Sequence, residues 1–222
     1  LFFIFTTGVI LMRSAGCVIN DIVDMKYDGL VERTKNRPLV TGELSRFEAF
    51  LVFSFLIFLS ACLVLFLNAL TIKLSLFAAL LASTYPFTKR FLVLPQAYLG
   101  FTFGFGILMA YATTNNYVPF EAILVFAANI LWVIAYDTVY AMVDKEDDKL
   151  IGIKTSALLF QTKDALMVII FHFLFLLCMI WVGLLKQFGI VFFSFLVVAS
   201  LLVSYQYVLI RDRDRKKCFR AF

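Results

Sequence analysis

Asn20-Asp21-Ile22-Val23-Asp24-Met25-Lys26-Tyr27-Asp28 closes an apolar stretch that begins at Leu1. Asp137-Thr138-Val139-Tyr140-Ala141-Met142-Val143-Asp144-Lys145-Glu146-Asp147-Asp148 closes another. A carboxylate at the edge of hydrocarbon is costly, so it is rare without a partner or a function. On a helix, positions three, four and seven apart share a face. Arg13, Asn20, Asp24 and Asp28 therefore fall on one stripe, and Asp137, Tyr140, Asp144 and Asp148 on a second. Each stripe starts within an apolar span and runs out into a charged loop. Asp21 and Asp147 lie one position off and rank second. Solvated loop charge accounts well for Glu146 and Glu32, but poorly for Asp24 and Asp144 at the membrane edge.

The rest of the chain reads as membrane. Of 222 residues, 63% are hydrophobic and 27 are Phe, against roughly 45–50% apolar in soluble domains. Spans are expected at about 1–21, 47–68, 70–85, 92–113, 119–142, 165–185 and 188–210, with the third short and tilted or half-buried. A bilayer-spanning helix needs about 20 apolar residues, and only helices satisfy their own backbone in lipid without closing a barrel. The expected fold class is all-α: a polytopic transmembrane bundle of seven spans, forming one domain over 1–222. All of the 20 Lys and Arg except Arg13, Lys73 and Lys186 fall in segments 22–46, 86–91, 143–164 and 211–222. The positive-inside rule assigns those segments to the cytoplasm. A net charge of +5 suits a basic face against anionic lipid headgroups. No motif points to nucleic acid, and no obligatory protein partner is implied. Beginning at Leu1 inside an apolar span, without a signal-peptide cleavage region, the sequence reads as a fragment of a longer chain, truncated at both ends.

Smaller features take bland readings. Cys17, Cys62, Cys178 and Cys218 match neither a disulfide framework nor a zinc pattern. His172, between Phe171 and Phe173, reads as a packing or hydrogen-bonding residue. Gly100, Gly104 and Gly106 have the spacing of close helix approach.

Two carboxylate stripes accompanied by many bases narrow the chemistry. Carboxylates bind Mg²⁺, which keeps waters and bridges to substrate phosphates. Lys26, Arg33, Lys35, Arg37, Lys89, Arg90, Lys145, Lys149 and Lys154 follow the acids or lie between them, and such side chains contact phosphate oxygens. A diphosphate head with a long apolar tail fits both halves of the pattern, which points to a polyprenyl diphosphate. A cation transporter is the alternative class, but it would place its acids near the middle of several helices.

The run Asn20-Asp21-x-x-Asp24-x-x-x-Asp28, then Arg33-x-x-x-Arg37-Pro38-Leu39, resembles the first signature of the UbiA superfamily of intramembrane aromatic prenyltransferases. Tyr136-Asp137-Thr138-x-Tyr140-Ala141-x-x-Asp144-x-x-Asp147-Asp148, followed by Ile151-Gly152-Ile153-Lys154-Thr155-Ser156-Ala157, resembles the second. Met12–Cys17, Tyr85–Arg90 and Cys218–Phe222 look like the branch that prenylates 4-hydroxybenzoate in ubiquinone synthesis. The resemblance implies nine transmembrane helices, of which this chain holds helices two to eight. It implies an integral protein of the bacterial inner membrane with its active site facing the cytoplasm.

The resemblance also implies Mg²⁺ ions that bridge the diphosphate to Asn20, Asp24 and Asp28 on one side and to Asp144 and Asp148 on the other. Lys89, Arg90, Arg33, Arg37 and Lys154 would add cationic contacts. Arg13 would read the carboxylate of 4-hydroxybenzoate, with a salt bridge to a neighbouring helix, or a share of that role for Arg90, as alternatives. Asp24 and Asp144 head the catalytic set. Asp137 and Tyr140 either shape the aromatic pocket or aid proton removal. Haem, chlorophyllide and naphthoate acceptors remain alternatives within the superfamily.

Overall fold

The computed structural model describes residues 1–222 except Glu32 and Lys89. Its regular structure among the described residues is helical. In chain order the helices are α1 (Phe2–Asp28), α2 (Pro38–Thr41), α3 (Arg46–Val64), α4 (Ala69–Thr88), α5 (Pro95–Asn115), α6 (Phe120–Val143), α7 (Lys145–Ile151) and α8 (Ser156–Phe160). A 3-10 turn (Gln161–Lys163) leads into α9 (Asp164–Leu185), and α10 (Ile190–Ile210) and α11 (Arg215–Ala221) follow.

Seven stretches are long and apolar enough to cross a membrane, as the sequence predicts, but three differ in detail. The first does not stop at residue 21: α1 runs unbroken to Asp28, about 40 Å at 1.5 Å per residue. That exceeds the ~30 Å hydrocarbon core, so one helix carries both an apolar span and the acidic motif. The third is not short, because α4 has 20 residues and continues through Pro86. The sixth begins earlier, with α8 and the 3-10 turn joined to α9 over Ser156–Leu185. Large apolar side chains such as Phe58, Leu76, Phe195 and Leu201 stand exposed along these helices. Helices apolar on all sides are membrane spans.

The chain divides into two compact units. One comprises residues 1–88 and 108–118. Here α1 packs mainly on α3, and also on α4 and α2. Asn68 starts α4 by accepting the Thr71 amide at 2.9 Å, and its own amide donates to the Ala112 carbonyl at 2.7 Å. The fully buried Thr71 hydroxyl meets Thr113 Oγ1 at 2.8 Å. Such bonds satisfy polar groups where no water competes.

The other unit comprises residues 89–107 and 119–222, with α6 at its centre. α6 packs on α9, α11 and α8. It also meets the first part of α5 through glycine: a Cβ on Gly100 would stand 2.9 Å from the Ile130 Cα, and one on Gly104 would stand 2.5 Å from Phe126. The Asn129 amide donates to the Gly100 carbonyl at 3.0 Å across this contact. Gly106 faces open space, so the close-approach reading holds for two of the three glycines. The four cysteines are free thiols, and buried His172 bonds within its own helix, Nδ1 to the Val168 carbonyl at 3.1 Å.

Candidate active site

The first acidic motif occupies the last two turns of α1. Asn20, Asp24 and Asp28 are spaced one turn apart on a continuous helix, and Arg13 lies about two turns earlier, ~10 Å along the axis. Asp24 and Asp28 are buried, at 9% and 8% exposure. The chain then turns tightly. Val31 N–H donates to the Asp28 carbonyl, Arg37 N–H to the Thr34 carbonyl, and Thr34 Oγ1 to the Asp28 carbonyl at 2.9 Å. The two bonds to Asp28 satisfy a carbonyl that the end of α1 leaves open, and the Arg37 bond closes the turn that follows.

Pro38 then starts α2 at a position where its missing N–H costs nothing. A Ser45–Glu48 capping box starts α3. The loop so formed carries Arg37 back over the helix end. Its Nη1 donates to Asp21 Oδ1 at 2.7 Å and to Asp28 Oδ2 at 2.8 Å. Asp21, ranked second by periodicity, thus joins Asp28 through Arg37.

Asn20 Oδ1 is a buried side-chain oxygen with no hydrogen-bond partner among the described residues. An unsatisfied buried acceptor costs about 1–3 kcal/mol. Beside two buried carboxylates, an oxygen of this kind suits a hard cation. Among the described residues, no three His, Cys, Asp or Glu side chains form one cluster. The α1 set instead joins two carboxylates to an amide oxygen, an all-oxygen set. Mg²⁺ is typically held by one or two carboxylates together with waters and substrate phosphates, so the residues fit that ion.

The second stripe does not lie on one helix. Asp137 and Tyr140 belong to α6, which ends at Val143. Asp144, with φ −101° and ψ 10°, is the junction, and Asp148 lies on α7. An Asp148 N–H to Asp144 carbonyl bond of 2.8 Å keeps the i to i+4 register across the break. Glu146, Asp147 and Asp148 crowd the first turn of α7, where the helix dipole favours negative charge. Asp144 is buried, whereas Asp137, Tyr140 and Asp148 are half-buried.

Gly152, at φ +74°, ends α7 in the left-handed conformation that glycine adopts at no steric cost. The following residues are tied down by a polar thread. Gln96 Oε1 accepts the Ser156 amide at 3.0 Å, and Ser156 Oγ meets Thr138 Oγ1 at 2.7 Å. Thr138 Oγ1 donates to the Ile134 carbonyl at 2.6 Å. This thread fixes the chain after α7 against α6 on the turn that bears Asp137.

Of the expected cationic residues, Arg37 reaches the acids and Lys154 donates to the Phe91 carbonyl at 3.2 Å. Arg13, Arg33 and Arg90 are exposed, and Lys89 lies outside the described residues. Three participants escaped the sequence reading. Arg215 contacts Asp147 at 2.9 Å and Asp144 at 3.4 Å. Phe222 packs on Tyr140 with ring centroids 4.6 Å apart and on Tyr136 at 5.8 Å. Asp164, fully buried, binds both Lys145 and Arg213. Phe222 stood in the Cys218–Phe222 run and Arg215 in the basic segment 211–222, neither with a site role, and Asp164 carried no signal.

Comparison with known proteins follows the same lines. Residues 1–222 match the UbiA prenyltransferase family. The 4-hydroxybenzoate octaprenyltransferase of Nitrosospira multiformis is 53% identical over 219 residues, covering 99% of this chain and 76% of that protein. The enzyme of the same description from Methylobacillus flagellatus is 51% identical over 220 residues, covering 99% and 74%. Among solved structures, a UbiA homolog from Aeropyrum pernix K1 superimposes with a TM-score of 0.86 at 24% identity, covering 99% of this chain and 83% of its own. A UbiA homolog from Archaeoglobus fulgidus, bound to GPP and Mg²⁺, gives 0.69 at 16% identity, covering 98% and 86%. At those identities the two structures speak for the fold.

Proposed function

The chain belongs to the UbiA prenyltransferase family, and we propose that it transfers a polyprenyl group from a polyprenyl diphosphate to the ring of 4-hydroxybenzoate, ortho to the hydroxyl, in ubiquinone synthesis. The family match over 1–222 supports one catalytic domain, and the basic loops support an active site at the cytoplasmic side of an inner membrane. The observation that carries the reading is the unpartnered Asn20 oxygen one turn from buried Asp24. A hydrocarbon-edge helix would not retain that pair for packing.

Asn20, Asp24 and Asp28 would hold a divalent ion on α1, and Asp144 and Asp148 would hold one at the α6–α7 junction. Bound Mg²⁺ supplies neutralisation of the charge that grows on the departing diphosphate. Arg33, Arg37, Lys89, Arg90 and Lys154 contribute cationic contacts to its oxygens. The prenyl carbon–oxygen bond breaks, the electrons leave with the diphosphate, and the ring carbon ortho to the hydroxyl bonds to the allylic cation. Loss of the proton from that carbon restores aromaticity. Apolar surroundings keep water from quenching the cation. Tyr140 packed on Phe222 supports a pocket-shaping role for Tyr140, and Asp137 is the carboxylate nearest in sequence for taking the proton. Arg13 offers a planar fork to the acceptor's carboxylate.

Membranes containing the protein, given Mg²⁺, 4-hydroxybenzoate and prenyl diphosphates of several lengths, should form the 3-prenyl product. Asp24→Asn and Asp144→Asn should each lower turnover by orders of magnitude, because a charge that stabilises the leaving group is lost from a water-poor site. Near-normal turnover in both variants would remove the metal assignment.

A further inference from the structure

The segment after α10 lies against the second acidic motif on buried anchors. Arg213 stands at φ +57°, a left-handed conformation that a non-glycine residue adopts only at a steric cost. It thereby brings its Nε 2.8 Å from Asp164 Oδ1. Asp164 has no exposure and takes Lys145 Nζ on its other oxygen at 2.6 Å. Ile210 and Cys218 are fully buried. The Gln206 amide donates to the Ala221 carbonyl at 3.0 Å, and Phe222 lies on Tyr140.

Held between these anchors, Arg215 directs one nitrogen, Nη2, at two carboxylates: Asp147 Oδ2 at 2.9 Å and Asp144 Oδ1 at 3.4 Å. Lys145 and Arg213 are committed to a carboxylate that solvent does not reach. The Arg215 side chain is 47% exposed and makes one short bond and one long one, which is an exchangeable arrangement.

We propose that Arg215 is a positioning residue for the diphosphate: it neutralises Asp144 and Asp147 while no divalent ion is bound, and turns to phosphate oxygens when an ion takes Asp144. This rests on the reading of Asp144 as a cation ligand. An ion on Asp144 takes the carboxylate that Arg215 meets at 3.4 Å and repels the guanidinium from it, while Asp147, at 2.9 Å, keeps the side chain beside the motif. The guanidinium fork fits phosphate as well as carboxylate. The buried anchors on either side keep the displaced side chain close to the motif, so its charge is retained where the ion–diphosphate pair arrives.

The test uses the purified protein in nanodiscs. Mn²⁺ binding is followed by electron paramagnetic resonance with the metal alone, and geranyl diphosphate binding is measured in the presence of Mg²⁺. Arg215→Gln should tighten Mn²⁺ about three- to fivefold, the scale of a partly exposed ion pair. It should weaken geranyl diphosphate about tenfold, with Arg215→Lys recovering part of that loss. Lys217→Ala, which removes a charge paired with exposed Asp212, should change neither constant. A purely structural role for Arg215 would not move the two constants in opposite directions. If Asp144→Asn binds Mn²⁺ as the parent does, the metal reading fails and this inference with it. If Asp144→Asn loses Mn²⁺ while Arg215→Gln and Arg215→Lys leave both constants unchanged, or weaken both, the metal reading stands and the role given to Arg215 is overturned.

Discussion

Replacement of Asp164 by Ala tests how the segment after α10 is held. Its carboxylate accepts Lys145 Nζ at 2.6 Å, Arg213 Nε at 2.8 Å and the Ala165 amide at 2.8 Å. Hydrogen bonds to charged groups contribute about 1.5–3 kcal/mol each, and breaking a buried pair costs about 3–5 kcal/mol. Both cations keep other acceptors, however: Lys145 the Gln161 carbonyl at 2.6 Å, and Arg213 the Thr162 and Arg211 carbonyls. Both also reach solvent, so the net loss falls to about 2–3 kcal/mol.

Concentrated in local opening of this segment, that loss raises the open population roughly 30- to 150-fold at 1.4 kcal/mol per decade. Cys218, fully buried in α11, reports the opening. In a protein with Cys17, Cys62 and Cys178 replaced by Ala, its maleimide labelling should accelerate by that factor. Burial first, and then the Asp164 and Asp214 carboxylates, push the Cys218 thiol above its ordinary pKa. Removing Asp164 therefore also raises the thiolate fraction, and rates taken at several pH values allow that contribution to be divided out. A labelling rate unchanged after this correction would refute the anchoring argument.

Gly100→Ala should destabilise the protein by about 1–3 kcal/mol, the cost of overpacking, because its Cβ would meet Ile130 backbone at 2.9 Å. Gly106→Ala, facing open space, should be neutral or stabilising by up to about 1 kcal/mol; thermal unfolding in detergent compares the two. Arg13→Ala and Arg13→Lys should raise the KM for 4-hydroxybenzoate far more than that for the prenyl diphosphate, because Lys keeps the charge and loses the fork. Equal effects on both substrates in a folded protein would move the carboxylate contact elsewhere, with Arg90 the next candidate.

The membrane class, the number of spans and the two acidic motifs were all legible in the chain. Hydropathy over twenty residues and i to i+4 spacing are local quantities, and lipid leaves helices no alternative hydrogen-bonding scheme. Asn20, Asp24 and Asp28 could be placed on one face from spacing alone, and α1 carries them so. The second stripe shows where local reasoning stops. Periodicity continues through Asp144 as though one helix ran on, whereas the chain breaks there and resumes as α7. Only tertiary structure decided which charges meet. Arg37 joins Asp21 and Asp28 from 16 and 9 residues away, Arg213 finds Asp164 at 49, and Arg215 reaches Asp147 at 68. Gln96, Ser156 and Thr138 form their thread from three separate elements. A basic run such as Arg211–Lys217 looks uniform in sequence because each charge is equally soluble in water. Packing separates them, since a buried carboxylate such as Asp164 must take its partners from whichever backbone the fold brings beside it.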